Sequence, residues 1–153
     1  LTLAQVTAAG DPANGVDRAL IADFAGRPVR EFEGALGQLS IFDRLPETDQ
    51  RALLEAVVRA ADSASAQAAK LRRAWRSGDV ATIEAATSTG MLADPELRDA
   101  LLVARNRDWV AKLVPQLKAE PRPLVAVGAA HLVGPDGLAA LLEAQGYRVR
   151  RLP

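Results

Sequence analysis

The single histidine of the chain, His131, is the residue with the clearest potential for chemistry. It follows an apolar run at residues 124–128 and precedes a Gly-Pro-Asp-Gly turn at residues 134–137. A side chain just past a buried strand lies at the carboxyl edge of a sheet, where open α/β folds bind ligands. A neutral imidazole at such an edge can ligate a metal or accept a proton. The alternative is a histidine that only hydrogen-bonds a loop carbonyl.

Glu33 is the second candidate, because it ends the first predicted strand and is followed by glycine. If both strands run parallel in one sheet, we expect Glu33 and His131 to approach each other at the same edge. A carboxylate and an imidazole are ligands that suit Zn²⁺, Mn²⁺ or Co²⁺. The alternative is that Glu31 and Glu33 are ordinary polar positions on a half-exposed strand.

Arg105 and Asn106 stand in the middle of a predicted helix that begins with Asp94 as its N-cap. Asparagine is a mediocre helix former, so its presence there requires a reason. Arg105 can clamp a carboxylate or stabilise an oxyanion. The alternative is a solvated helix face with ion pairs four residues apart. Trp75 and Trp109, at apolar helical positions, are predicted to anchor the core.

The elements that would position these residues follow an α/β pattern. Short apolar or alternating stretches predict strands at residues 28–34, 124–128 and 147–152. Residues 134–146 predict a turn and a helix between the last two strands, which makes a parallel, right-handed βαβ unit. Residues 51–75 contain no glycine or proline and predict a mostly helical stretch. We therefore expect a mixed sheet with a C-terminal βαβ unit and several long helices.

Composition limits the class of protein. The 153 residues fit one domain, or a domain fragment, spanning residues 1–153. Basic and acidic residues are equal at 19 each, and this balance argues against nucleic acid or an anionic membrane surface as the main partner. Cysteine is absent, which excludes a thiolate nucleophile and a zinc–cysteine site. No apolar run is long enough to span a membrane, and the first residues show no signal-peptide pattern.

Several short segments, taken in order, resemble the TraB/GumN family, which includes the TIKI-type metalloproteases. They are Gly-Val-Asp, a Glu before Gln-Leu, a Trp before Gly-Asp, a helical Arg-Asn, Gly-Ala-Ala-His-Leu-Val-Gly and a later Gly-Tyr-Arg-Val. Together they cover nearly the whole chain. The resemblance implies an α/β fold like that of the erythromycin-esterase and ChaN-like proteins.

The resemblance also implies a metal-dependent hydrolase site. Carried over by position, His131 and Glu33 correspond to residues of the metal site. Arg105 and Asn106 correspond to the family's Arg-Asn pair and are predicted to be catalytic, by positioning substrate or stabilising negative charge. Gln38 corresponds to the glutamine that follows the family's glutamate. The implied cofactor is a divalent metal, Zn, Mn or Co.

The resemblance implies two Gly-x-x-His motifs, and His131 corresponds to the histidine of the second. The first motif stands ahead of these segments in the family, whereas His131 is the only histidine here. We therefore expect this chain to be the C-terminal half of the family domain, from a processed or truncated product. Catalytic zinc usually has three protein ligands, so His131 with Glu33 would bind a metal weakly. We expect the isolated chain to be inactive, or to require an N-terminal fragment or a homo-oligomer.

Three functions follow from these observations. The first is part of a metal-dependent hydrolase or peptidase that acts on a peptide or small-molecule substrate. The second is a non-catalytic module that sequesters a peptide or small molecule, and the third is a purely structural domain. The resemblance favours a periplasmic or secreted location, with the export signal outside this chain.

Overall fold

The computed structural model describes residues 16–119 and 123–152, and the regular elements within these ranges are helices. The α-helices are α1 (Val16–Asp23), α2 (Gly34–Arg44), α3 (Glu47–Ala60), α4 (Ala64–Ser77), α5 (Val80–Ala86), α6 (Pro95–Arg98), α7 (Ala104–Ala119) and α8 (Leu138–Ala144). Short 3₁₀ turns are Ala61–Ser63, Gly90–Ala93 and Ala129–His131, and a π turn is Asp99–Val103. None of the described helices has both the length and the apolar character that crossing a bilayer requires.

The predicted mixed sheet and its C-terminal βαβ unit were wrong, because no strand occurs in the part of the chain that the structure describes. Residues 28–33, 123–128 and 147–152 have irregular backbone instead. Alternating or apolar residues favour a strand, but a strand forms only where a neighbouring strand pairs with its backbone. Here helices hold these segments, and Val127 packs against the cluster formed by α7 and α8. The implied likeness to the C-terminal half of an erythromycin-esterase or ChaN-like α/β fold is therefore not supported.

The predicted helix start at Asp94 is confirmed. The Asp94 side chain accepts a hydrogen bond of 3.0 Å from the backbone N–H of Leu97, with Pro95 at the first helical position. The chain turns after α8 at Gly146, whose φ of +86° favours glycine. The long helical stretch around residues 51–75 is two helices, α3 and α4, separated by a 3₁₀ turn.

One continuous helical run, from α6 through the π turn to α7, contributes to two apolar clusters. Leu97, only 1% exposed, packs with Leu45 and Leu53 in the first cluster. Trp109 packs with Leu138 and others in the second cluster. In the π turn between them, the backbone N–H of Ala104 donates to the carbonyl of Asp99, five residues earlier. Such turns in α-helices often occur at functional sites.

The two tryptophans differ in burial. Trp109 is 6% exposed and anchors the second cluster, as predicted, whereas the prediction for Trp75 was wrong because it is 66% exposed. In the last turn of α4, the buried position belongs to Ala74, one residue earlier. The Trp75 ring is therefore left on the surface.

The burial of Leu97 makes a direct prediction about stability. We expect Leu97→Ala to lower the free energy of unfolding by about 3 kcal/mol, because the surrounding helices cannot fully close the cavity. Leu54→Ala is the matched control, since Leu54 is 58% exposed, and should cost less than about 0.5 kcal/mol. Urea denaturation measures both, and equal losses would contradict this packing.

Candidate functional site

The Glu33 carboxylate, just ahead of α2, is bound to two side chains of α7. Arg105 donates from Nε to Oε1 and from Nη2 to Oε2, each at 2.9 Å. The indole Nε1 of Trp109 donates to Oε1 at 2.8 Å. Next to this carboxylate, Phe32 stacks on Trp109 with ring centroids 5.4 Å apart, and its carbonyl accepts from Lys112 Nζ at 2.7 Å. The segment before α2 is thus fixed to α7 by a two-pronged ion pair and by stacking.

Asn106 holds the loop that carries the histidine. Its side chain is fully buried; Nδ2 donates to the backbone carbonyl of Asp136 at 2.7 Å, and Oδ1 lies 2.6 Å from Nδ1 of His131. A backbone carbonyl can only accept, so the amide NH₂ must face Asp136 and the amide oxygen must face the imidazole. This pairing assigns the ring proton of the neutral imidazole to Nδ1. Nε2 of His131 then carries a lone pair.

Trp109 connects the two halves of the cluster. Besides its hydrogen bond to Glu33, its ring lies 4.4 Å from the His131 ring, centroid to centroid, at an angle of 37°. The Arg105 guanidinium carbon is 4.9 Å from the same indole. Residues three and four apart share one helix face, so Trp109 lies beside Asn106 and Arg105. That spacing was the signal that could have placed Trp109 in the site, which the sequence analysis assigned only to the core.

The cluster contains one charged pair and one neutral ring. The pKa of His131 is lowered from its usual 6.5 to about 4, mainly by burial and also by the nearby Arg105 charge, with Glu33 opposing both effects. Burial raises the pKa of Glu33, but the hydrogen bonds from Arg105 and Trp109 outweigh burial and hold that pKa below its usual value. At neutral pH, Glu33 is therefore ionised and His131 is uncharged.

The turn after His131 is held from its other side. The Asp136 carboxylate accepts from Arg98 Nη2 at 3.0 Å, and Arg98 also donates to the Thr87 carbonyl at 3.1 Å. At Gly137, an added Cβ would lie 2.5 Å from the Val133 carbonyl oxygen, so only glycine fits there without movement of the backbone. These contacts fix the carbonyl that Asn106 recognises.

The four predicted site residues, Glu33, Arg105, Asn106 and His131, lie in this one cluster. The reason given for their approach was wrong, because α7 and not a sheet edge brings them together. Gln38 is exposed on α2. Their catalytic and metal-binding roles stay predictions.

The residues present fit one ligand position for a metal rather than a complete centre. Across residues 16–119 and 123–152, no group of three or more His, Cys, Asp or Glu side chains could hold a metal ion. Both carboxylate oxygens of Glu33 already accept hydrogen bonds, and the adjacent Arg105 charge repels a cation. Nε2 of His131 is the one ring nitrogen left for a ligand.

Removal of the Glu33 charge should leave the Arg105 guanidinium unpaired in a largely buried position. We expect Glu33→Gln to lower the free energy of unfolding by about 3 kcal/mol. Glu47→Gln is the control, because the Glu47–Arg51 pair is more than 70% exposed, and should cost less than about 1 kcal/mol. Chemical denaturation compares them, and a small loss in both variants would contradict the ion pair.

The depressed pKa of His131 predicts how stability depends on pH. Between pH 6.5 and about 4, the unfolded chain binds a proton on this histidine and the folded chain does not, so stability must fall as the pH falls. His131→Asn should lack this component. Since the chain has one histidine, the difference in unfolding free energy between wild type and variant isolates the contribution of His131 to this pH dependence. Parallel curves across this pH range would refute the depressed pKa.

One comparison with known proteins gives a match. The family profile described as "TraB/PrgY/gumN family" matches residues 1–151, nearly the whole chain. No curated protein and no solved structure matches.

Proposed function

Because the chain belongs to the TraB/PrgY/gumN family, we propose that it contributes one histidine ligand to a metal-dependent hydrolase site. The ligand atom is Nε2 of His131, and the metal is a divalent ion, Zn²⁺, Mn²⁺ or Co²⁺. The observation that carries this proposal is the 2.6 Å contact between Asn106 Oδ1 and His131 Nδ1. When bound, such an ion activates water and polarises an acyl carbonyl.

The charge state of His131 favours a ligand over a general base. A general base works best when its pKa lies near the working pH, and a pKa of about 4 is too low for that at neutral pH. The same low pKa keeps protons from competing for the Nε2 lone pair. Histidine ligands typically donate their other ring N–H to an acceptor, and Asn106 supplies that acceptor.

The remaining cluster residues support the ligand. Arg105 donates from Nε and Nη2 to Glu33 and from Nη1 to the Leu101 carbonyl, so we assign it a positioning role rather than a clamp on substrate. Asn106 sets the tautomer of His131 and is likewise a positioning residue. Glu33 is proposed to anchor Arg105 and Trp109. A direct contact between Glu33 and the metal would require its hydrogen bonds to Arg105 and Trp109 to rearrange. The substrate class is a peptide or another molecule with an acyl bond.

A second candidate is a module that sequesters a peptide or small molecule without turnover. Two observations favour it: the Glu33–Arg105 pair neutralises itself, and the described residues contain no three-ligand group. The two functions differ in their requirement for a metal.

The protein in its longest natural form provides the test of activity. Freed of metal and then supplied with Zn²⁺, Mn²⁺ or Co²⁺, it should hydrolyse members of a mixed peptide library, and a chelator should abolish the reaction. His131→Ala should remove the activity, whereas Gln38→Ala, outside the cluster, should not. Hydrolysis that resists the chelator or survives His131→Ala would refute the proposal, and tight peptide binding without turnover would favour the sequestering module.

Metal binding gives a readout that does not depend on turnover. Mn²⁺ added to the protein should broaden the NMR signals of the His131 ring and of its neighbour Trp109 before other side chains. His131→Ala should abolish that effect at Trp109. Broadening centred on surface carboxylates, with no change at Trp109, would contradict the assignment of Nε2 as a ligand atom.

A further inference from the structure

The chain has a net charge of zero, but its basic residues are unevenly distributed. Helix α4 and residues 147–152 contain seven of the 19 basic residues and no acidic residue. These are Lys70, Arg72, Arg73, Arg76, Arg148, Arg150 and Arg151. The rest of the chain holds all 19 acidic residues and the other 12 basic residues, so the zero net charge hides a local excess of positive charge.

The fold brings these two segments together at the end of α4. Nη2 of Arg151 donates to the Gly78 carbonyl at 2.7 Å, and Gly78 is the residue with positive φ that ends α4. A Cβ added at Gly78 would overlap this guanidinium, so the close approach depends on glycine. Because each residue spans at most about 3.6 Å, the backbones of Arg150 and Leu152 lie within about 4 Å of that of Arg151. The last turn of α4 holds Trp75 and Arg76 next to the same point.

Exposed apolar side chains accompany these charges. Trp75 and Leu152 are each 66% exposed, and Val149 is 37% exposed. We call the combination the basic–apolar surface: Trp75, Arg76, Arg150, Arg151 and Leu152. The Asp79 carboxylate, just after α4, accepts hydrogen bonds from Thr82 that lower its pKa, and the Lys70 charge lowers that pKa as well.

We propose that the basic–apolar surface docks the protein on an anionic lipid bilayer. Arginines next to such a bilayer are attracted to its headgroups, and tryptophan prefers the boundary between headgroups and acyl chains. Exposed aliphatic side chains such as Leu152 gain from burial in lipid. A nucleic acid could pair with the arginines and stack on Trp75, but it offers no apolar phase for Leu152 and Val149. The zero net charge does not oppose docking, because charges farther than about 8–10 Å are screened at physiological salt.

The test uses the whole chain and vesicles of known composition. It should sediment with phosphatidylcholine vesicles that contain phosphatidylglycerol, and far less with phosphatidylcholine alone. Arg76→Gln with Arg150→Gln should weaken the anionic binding about 25-fold, from about fivefold for each charge. The control pair, Arg51→Gln with Arg59→Gln, removes two exposed arginines of α3 and should leave binding within about twofold of wild type.

Fluorescence of Trp75 tests the same surface independently. On binding, the emission of the chain should shift to shorter wavelength, and Trp75→Phe should remove the shift because buried Trp109 is already shielded. Binding that ignores lipid charge, or equal loss in both arginine pairs, would overturn the proposal. Preferential binding to a single-stranded oligonucleotide over the anionic vesicles would overturn it as well. None of these outcomes depends on the role of His131.

Discussion

The hydrogen bonds of the Asn106 amide are the interaction on which the candidate site depends. A fully buried amide must satisfy its donors and its acceptor within the protein, since water cannot reach it. Its two ends bind different points of the same loop, the Asp136 carbonyl and the His131 ring. The loop has no sheet to hold it within the described residues, so this amide and the Trp109 ring attach it to α7. The loop position and the state of the imidazole are therefore set together.

Electrostatics then separates the roles of the two titratable groups. Burial opposes charge on both Glu33 and His131, but only Glu33 has a cation and a second donor bound to its oxygens. The guanidinium that stabilises the carboxylate also disfavours a proton on the imidazole. The cluster thus keeps an ion pair and a neutral ring in contact through one indole. A neutral ring with a fixed tautomer suits metal ligation better than proton transfer at neutral pH.

Sequence patterns predicted the local features that local chemistry determines. Asp94 followed by proline marked a helix start, and a mid-helix asparagine without a local reason to be there proved to have a distant partner. The predicted sheet was wrong, because strand pairing depends on neighbouring strands that the sequence of a single segment does not reveal. Trp75 was misassigned for a related reason: helical periodicity places a residue on a face but does not say where the neighbouring helix ends. The family resemblance placed four residues in one site, although the sheet it implied is not among the described residues.

The protonation of the His131 ring is the most direct test of this account. Nitrogen-15 NMR of the chain at pH 7, labelled in its one histidine, distinguishes the two neutral tautomers and the cation. We predict a proton on Nδ1, an unprotonated Nε2, and loss of this preference in Asn106→Leu. A ring protonated at Nε2, a cation at pH 7, or a rapidly exchanging mixture in the wild type would contradict the account.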